Sequence, residues 1–316
     1  MEAGVGINVT TMKQEEPILV AIHCLVYNHE PYLRDCFEGF VMQKTNFRFV
    51  AIVHDDCSTD HSAAIIREYE AKYPDIFRPI YETENQWSKH DGSLTRIMNE
   101  AIDATGAKYI AFCEGDDYWI DPYKLQKQVD FMETHPKCSV TFHRYDILRQ
   151  EEQIWRHDRC DVYIKPEQDF VKLTISKYFA NWVTQPCTMM YRNGTYLGTD
   201  KSYHEYKDQH MIFHLLNEGD GYMLNFNGAV YREHQGGIHG HTPVLSQSRL
   251  AVKVAKELYD ANNEVSETKD NLILTLDWAI NCEKEYEGKS RIYYQYVWTR
   301  LRITGSLKKF LKQLFT

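Results

Sequence analysis

The chain has 316 residues, 43% hydrophobic and 13% aromatic, enough apolar material for one large core or two modest ones, which excludes intrinsic disorder. Its 36 Lys and Arg stand against 45 Asp and Glu, a net charge of -9, which argues against a protein that coats nucleic acid; clustered acids suit metals and sugars better. Near the start the longest apolar run, Ile18 to Ile22, is far shorter than the ~20 residues that cross a bilayer, and Met1 to Glu16 lacks the basic start and apolar stretch of a signal peptide.

Short β-branched runs alternate with amphipathic stretches through the first half, the rhythm of βαβ units around a mainly parallel sheet. Ile18 to Val26 reads as a first strand covered on both faces, followed by a helix from about Pro31 with Leu33, Cys36, Phe37, Phe40 and Val41 on one side. Phe47 to Val53 is the second strand, and Ser58 or Asp60 is expected to cap the helix carrying Ile65, Ile66, Tyr69 and Tyr73. Ile76 to Tyr81 is a weaker strand, and Glu82 to Gly92 a connection long enough to carry specificity. A helix over Leu94 to Ala104, a strand over Lys108 to Cys113, a helix over Pro122 to His135 and a strand over Ser139 to Leu148 follow. Beyond Arg149 the pattern loosens, with a helix expected over Lys207 to Glu218 and helical patterning from Ser246 to Glu287. The eight cysteines are scattered and form no CxxC, so they read as buried thiols in a reducing cytoplasm and not as a zinc site or disulfide framework.

Two acidic clusters end strands. Asp55, Asp56 and Asp60 follow the second, and Glu114, Asp116 and Asp117 follow a later one. In an open parallel sheet both sit where ligands bind, and crowded carboxylates are costly unless a cation offsets them; Mn2+ or Mg2+ does so and leaves positions for phosphate oxygens. A single Asp pair after a strand is as readily an Asx turn or helix cap, but two such clusters on one sheet edge favour a functional site. Trp119 reads as core.

Tyr27-Asn28 after the first strand, Asp55-Asp56-x-Ser58-x-Asp60 after the second, and Glu114-Gly115-Asp116-Asp117-Tyr118-Trp119 later resemble family 2 glycosyltransferases of the GT-A fold, over roughly residues 17 to 240. The resemblance implies an inverting transfer from a nucleotide-sugar donor, with uracil the usual base. Carried over by position, Asp55 and Asp56 with Tyr27 and Asn28 hold the base side, and Glu114, Asp116 and Asp117 form the ribose and metal site. Glu114 stands where the family has Asp, one methylene longer, which leaves open which of the three is nearest the cation. The resemblance also implies a base well downstream at the start of a helix, matched by Asp208 with Glu205 as fallback. Tyr231 to Gly237 resembles a segment that closes over the diphosphate or adds a metal ligand, so Arg232 is expected at phosphate and His234 at metal, with Gly240 among the glycines that let the loop move. Gln185 to Thr188 is either beside the acceptor or an ordinary loop.

These readings divide the chain into a disordered start through residue 16, a GT-A domain over 17–240 and a helical extension over 241–316. The last stretch, from Lys289, holds Arg291, Arg300, Arg302, Lys308, Lys309 and Lys312 and no acid. It reads as an amphipathic helix on anionic lipid, with Tyr293, Tyr296, Trp298, Leu301, Phe310, Leu311, Leu314 and Phe315 toward the membrane, or as a packing helix or dimer contact. The expected acceptor is a glycan or lipid-linked sugar in polysaccharide or lipopolysaccharide assembly, with no nucleic-acid partner. A nucleotidyltransferase is the competing enzyme, but Val26 to Pro31 has neither Gly nor Lys where its phosphate loop belongs. A degenerate, non-catalytic nucleotide- or glycan-binding homologue is the third reading.

Overall fold

The computed structural model describes residues 16–195, 203–204, 207–237 and 242–305. The expectations for the N-terminal stretch, Glu205, Gly240 and residues 306–316 lie outside the described residues, apart from Glu16. In chain order the elements are β1 (Ile18–Val26), α1 (Leu33–Val41), β2 (Arg48–Asp55), α2 (Ser62–Lys72), β3 (Phe77–Tyr81), α3 (Ser93–Asp103), β4 (Tyr109–Phe112), β5 (Tyr118–Trp119), α4 (Lys124–Thr134), β6 (Cys138–Arg149), β7 (Ile154–His157), β8 (Phe170–Leu173), α5 (Ile175–Ala180), β9 (Met190–Arg192), α6 (Asp208–Glu218), β10 (Asp220–Glu233), α7 (Val244–Ala261), α8 (Ser266–Tyr286) and α9 (Arg291–Thr304).

They build one sheet in the order β3-β2-β1-β4-β9-β6-β10-β5, with β7 on β6 and β8 on β10. β3, β2, β1 and β4 run parallel, as do β6 and β10. β9 is antiparallel to both β4 and β6, and β5, β7 and β8 also pair antiparallel. The sheet is therefore mixed, and the expected parallel character holds for its first half and the β6–β10 pair. From β1 the chain winds outward through β2 to β3, then returns to lay β4 on the other side of β1. That reversal opens a crevice beyond the carboxyl ends of β1, β2 and β4, where the acidic turns lie.

Burial on both faces explains the apolar first strands: Val20, Ala21, Ile22 and Cys24 of β1 and Val50 to Val53 of β2 are buried. From α1, Leu33, Cys36, Phe37 and Phe40 pack onto them. Gly39 permits α1 to touch β5, because a Cβ there would meet the Trp119 backbone nitrogen at 2.9 Å. Trp119 is core, as expected; its indole N–H donates to the Cys187 carbonyl at 2.9 Å and its ring carries the Lys124 ammonium at 3.7 Å. All eight cysteines are free, seven of them buried.

Behind the sheet, Phe213 of α6 packs with Val254 and Leu258 of α7, and Val252, Ala255, Leu272, Leu276 and Ala279 form a separate apolar cluster between α7 and α8. The structure corrects the expected lipid-facing set on α9. Tyr293 is buried with Ile280 and Val297, and Tyr296 packs against the same residues, because α9 folds back on α8 and needs an apolar side to do so. Arg300 turns inward too, paired with Asp277. Among the described residues no helix is long and apolar enough to cross a membrane.

Candidate functional site

Both acidic turns hang from the end of β1. The Val26 carbonyl accepts the Asp56 N–H at 2.9 Å and the Leu25 carbonyl accepts the Gly115 N–H at 3.0 Å, so the turns flank one strand end and open on the same crevice. The turn after β1 is stitched to the turn after β2. Asn28, in the left-handed region at φ 56°, takes the Thr59 N–H on Oδ1 at 2.8 Å and donates its own N–H to Ser58 Oγ at 2.9 Å. Asp60 accepts from Glu30 N at 3.0 Å and from Ser62 N at 2.9 Å, so it ties the start of α2 to the first turn; the N-cap position itself is His61, which makes no side-chain cap bond, so neither Ser58 nor Asp60 is the cap expected.

Asp55 and Asp56 are buried at the crevice edge, and Tyr27 is exposed at its mouth. Both Asp56 oxygens already accept backbone N–H groups, from Gln86 at 2.6 Å and Trp87 at 3.0 Å. Asp56 thus organises the long connection between β3 and α3, which carries the exposed Trp87. Each carboxylate oxygen has a second lone pair, so this leaves capacity for a ligand.

At the second turn, Asp117 is buried and accepts the Arg232 N–H at 2.8 Å, which joins the turn to the end of β10. Asp116 Oδ2 lies 3.1 Å from His234 Nε2 and 3.8 Å from His29 Nε2. His234 Nδ1 accepts the Gly236 N–H at 3.2 Å, so in the neutral ring Nε2 carries the proton and donates it to Asp116. Arg232 is buried between the rings of Tyr32 and Tyr118, at 4.8 and 4.9 Å, and its Nη2 donates to Asp35 at 2.8 Å. Among the described residues its Nε and Nη1 have no hydrogen-bond partner, so a buried guanidinium keeps two donors uncommitted.

The electrostatics separate the three carboxyls. Burial pushes Glu114 well above the ordinary range, and the charges of Asp116, Asp208 and Asp117 push further. Asp117 is also raised well, first by burial and then by Asp116, against the opposing Arg232 N–H. Burial would raise Asp116 too, but the hydrogen bond from His234 and the charge of His29 outweigh it and hold Asp116 low. Asp116 therefore gives up its proton more readily than either neighbour.

Asp208 opens α6, where the backbone N–H groups of a first turn favour an anion, and it is near enough to Glu114 and Tyr178 for its charge to act on both. Tyr178 is buried, with its hydroxyl unpartnered among the described residues. Glu114, Asp116, Asp117, Arg232, His234 and Asp208 thus converge on one region, whereas Tyr27, Asn28, Asp55 and Asp56 line its neighbouring edge. Gln185 to Thr188 lies inside: Pro186–Thr188 is a single helical turn with Cys187 and Thr188 buried, and Cys187 is close enough to Asp117 for each to act on the other's ionisation. The sequence reading missed His29, Tyr32, Asp35 and Tyr178. His29 directly follows Tyr27-Asn28 and so carried a positional signal; Tyr178 sits in the loosely patterned middle and carried none.

A model of glycosyl transferase family 2 matches residues 22–205. An uncharacterized protein of Mycobacterium tuberculosis is 39% identical over 132 residues, 42% of this chain and 36% of that protein. The putative teichuronic acid biosynthesis glycosyltransferase TuaG of Bacillus subtilis is 30% identical over 133 residues, 42% of this chain and 49% of its own length. The matched part therefore spans between a third and a half of these curated relatives. TarS of S. aureus, solved in complex with UDP-GlcNAc, superposes with a TM-score of 0.58 at 16% identity, covering 94% of this chain and 81% of that one, a likeness of fold alone.

Proposed function

Because the chain belongs to glycosyl transferase family 2 and has its GT-A fold, we propose that it moves a sugar from a nucleotide-sugar donor, UDP-linked in the first instance, to a hydroxyl of a glycan or lipid-linked acceptor, with inversion. The observation that carries the reading is the meeting of Asp116, His234 and Arg232 with Asp208 at the carboxyl ends of the parallel strands. Residues 17–240 perform the chemistry, and the helices between 242 and 305 form an extension behind it. The teichuronic acid biosynthesis glycosyltransferase among its relatives supports a role in polysaccharide synthesis, and we place that role in the cytoplasm, where buried free thiols stay reduced.

Asp55 and Asp56, with Tyr27 and Asn28, hold the base side of the donor; Glu114 faces the ribose. Asp116 and Asp117, with His234, are the residues that would hold Mn2+ or Mg2+. Among the described residues no three such side chains stand ready as a complete ligand set. The donor set nonetheless suits an ion that keeps one or two protein ligands and takes its other oxygens from diphosphate. Such an ion supplies positive charge to the departing nucleoside diphosphate. Arg232 supports the same oxygens through its uncommitted Nε and Nη1. Asp208 accepts the proton of the acceptor hydroxyl as that oxygen attacks the anomeric carbon from the face opposite the diphosphate.

Thermal unfolding with UDP tests this reading. UDP with Mn2+ raises the midpoint, EDTA removes most of the rise, and Asp116→Ala abolishes the metal-dependent part. Asp208→Asn keeps the shift and loses transfer. No shift with any nucleoside diphosphate, or full transfer by Asp208→Asn, rejects the assignment.

A further inference from the structure

We propose that the outward face of α9 docks in the plane of an anionic lipid bilayer. Folding α9 onto α8 commits Tyr293, Val297 and Arg300 inward and leaves Arg291, Tyr294, Trp298 and Arg302 exposed. Their spacings of three, four and four residues align them along one side of the helix, about 16 Å from end to end at helical rise. Tyr294 is 46% and Trp298 55% exposed, a large aromatic area for the surface of a packed helix.

The order along this face is basic, aromatic, aromatic, basic. Tyr and Trp combine an apolar ring with a polar atom and suit the boundary between headgroups and acyl chains, while flanking Arg pairs with lipid phosphate. Charge favours the same occupant. From Lys289 to Gly305 there is no acidic residue although the whole chain carries -9, so this face is a local cation on an acidic protein. The nearest exposed acids in sequence are Glu285 and Glu287, at the end of α8 and in the following turn; Glu283 is engaged by Arg249 and Asp277 by Arg300. A second copy fits less well, because a twofold contact through this stripe sets Arg291 of one chain against Arg302 of the other, or each against itself. The sequence after Gly305 adds Lys308, Lys309 and Lys312 among Leu and Phe, again with no acid. The stripe holds no residue assigned above to donor binding or proton transfer, so the inference goes beyond the transferase reading and survives its failure.

Flotation of the full-length protein with vesicles tests it. Phosphatidylglycerol–phosphatidylcholine vesicles bind the protein, whereas pure phosphatidylcholine, or 0.5 M salt, lowers partition at least tenfold. Tyr294→Ser with Trp298→Ser, and separately Arg291→Gln with Arg302→Gln, each lower it at least tenfold while circular dichroism and the thermal midpoint stay as in the wild type. No binding to anionic vesicles overturns the proposal, as does equal binding to neutral ones. Loss on changing Lys308, Lys309 and Lys312 with no effect of either α9 pair overturns it in favour of the terminal residues. A sedimentation dimer that dissociates in the Tyr294/Trp298 variant, with vesicle binding unchanged, overturns it in favour of a second copy. Binding of a soluble polyanionic glycan in place of vesicles overturns it as well.

Discussion

Asp116 shows how one proton decides what a site can bind. With His234 Nδ1 accepting the Gly236 N–H, the Nε2 proton points at Asp116, so His234 would reach a cation only after that proton moves to Nδ1 and the Gly236 hydrogen bond breaks. Burial raises Glu114 and Asp117, so these are the groups whose protons a cation would displace. Binding of Mn2+ with UDP is therefore expected to release protons from these raised carboxyls and to tighten as pH rises above the ordinary carboxylate range; calorimetry in two buffers of different ionisation enthalpy measures the release. An affinity independent of pH contradicts it. Gly115 makes this crowding possible. An added Cβ would stand 2.8 Å from His29 Nδ1, 3.0 Å from Val26 Cγ2 and 3.1 Å from Leu33 Cδ1, so Gly115→Ala is expected to cost about 1–3 kcal/mol in urea unfolding.

At the level of elements, the same logic governs how α6 presents Asp208. Its N-terminus is held by His210, whose Nδ1 accepts the Lys207 N–H at 3.1 Å and whose ring lies 4.1 Å from that of Tyr203. The Tyr203 hydroxyl reaches His214 Nε2 at 2.9 Å and takes a hydrogen bond from Asn262, just past α7, at 3.2 Å. The helical extension thereby braces the start of α6. His210→Ala is expected to cost about 1–3 kcal/mol of stability and to lower turnover more than donor affinity, because the donor contacts lie on other turns. His210→Asn, which restores an acceptor, recovers part of both. Urea titration and steady-state kinetics separate the two effects, and an unchanged turnover in His210→Ala removes the brace.

For the whole molecule, buried histidines set the response to acid. Burial lowers His23 to about 3 and His210 to about 4, and lowers His29 and His143 as well. Each folded value lies below the unfolded one, so its stability contribution is full above about 6.5 and is lost as pH falls toward the folded value, by up to about 1.4 kcal/mol per pH unit. Glu114 and Asp117 act oppositely, since their folded values are raised and ionisation costs stability as pH climbs from about 4. Four groups against two predicts that stability falls between pH 6.5 and 4.5, read as a declining urea midpoint; a midpoint that rises on acidification contradicts it.

The sequence by itself determined the main elements from β1 to β6, the helical character after Ser246, the two acidic turns and the start of α6, because hydrophobic period and turn chemistry are local; it marked none of β7 to β10 or α5. It also determined that the first two turns share an edge, since parallel strands joined by right-handed crossovers point their carboxyl ends the same way. Tertiary structure decided the rest. Asp117 meets the Arg232 backbone through the antiparallel pairing of β5 with β10, which sets Tyr118 opposite Val230 and which no local pattern encodes. The antiparallel entry of β9, the His29 and His234 clamp on Asp116, and the inward turn of Tyr293 likewise depend on partners far away in the chain. A periodic face reveals that a helix has a side to bury, and only packing chooses the neighbour that covers it.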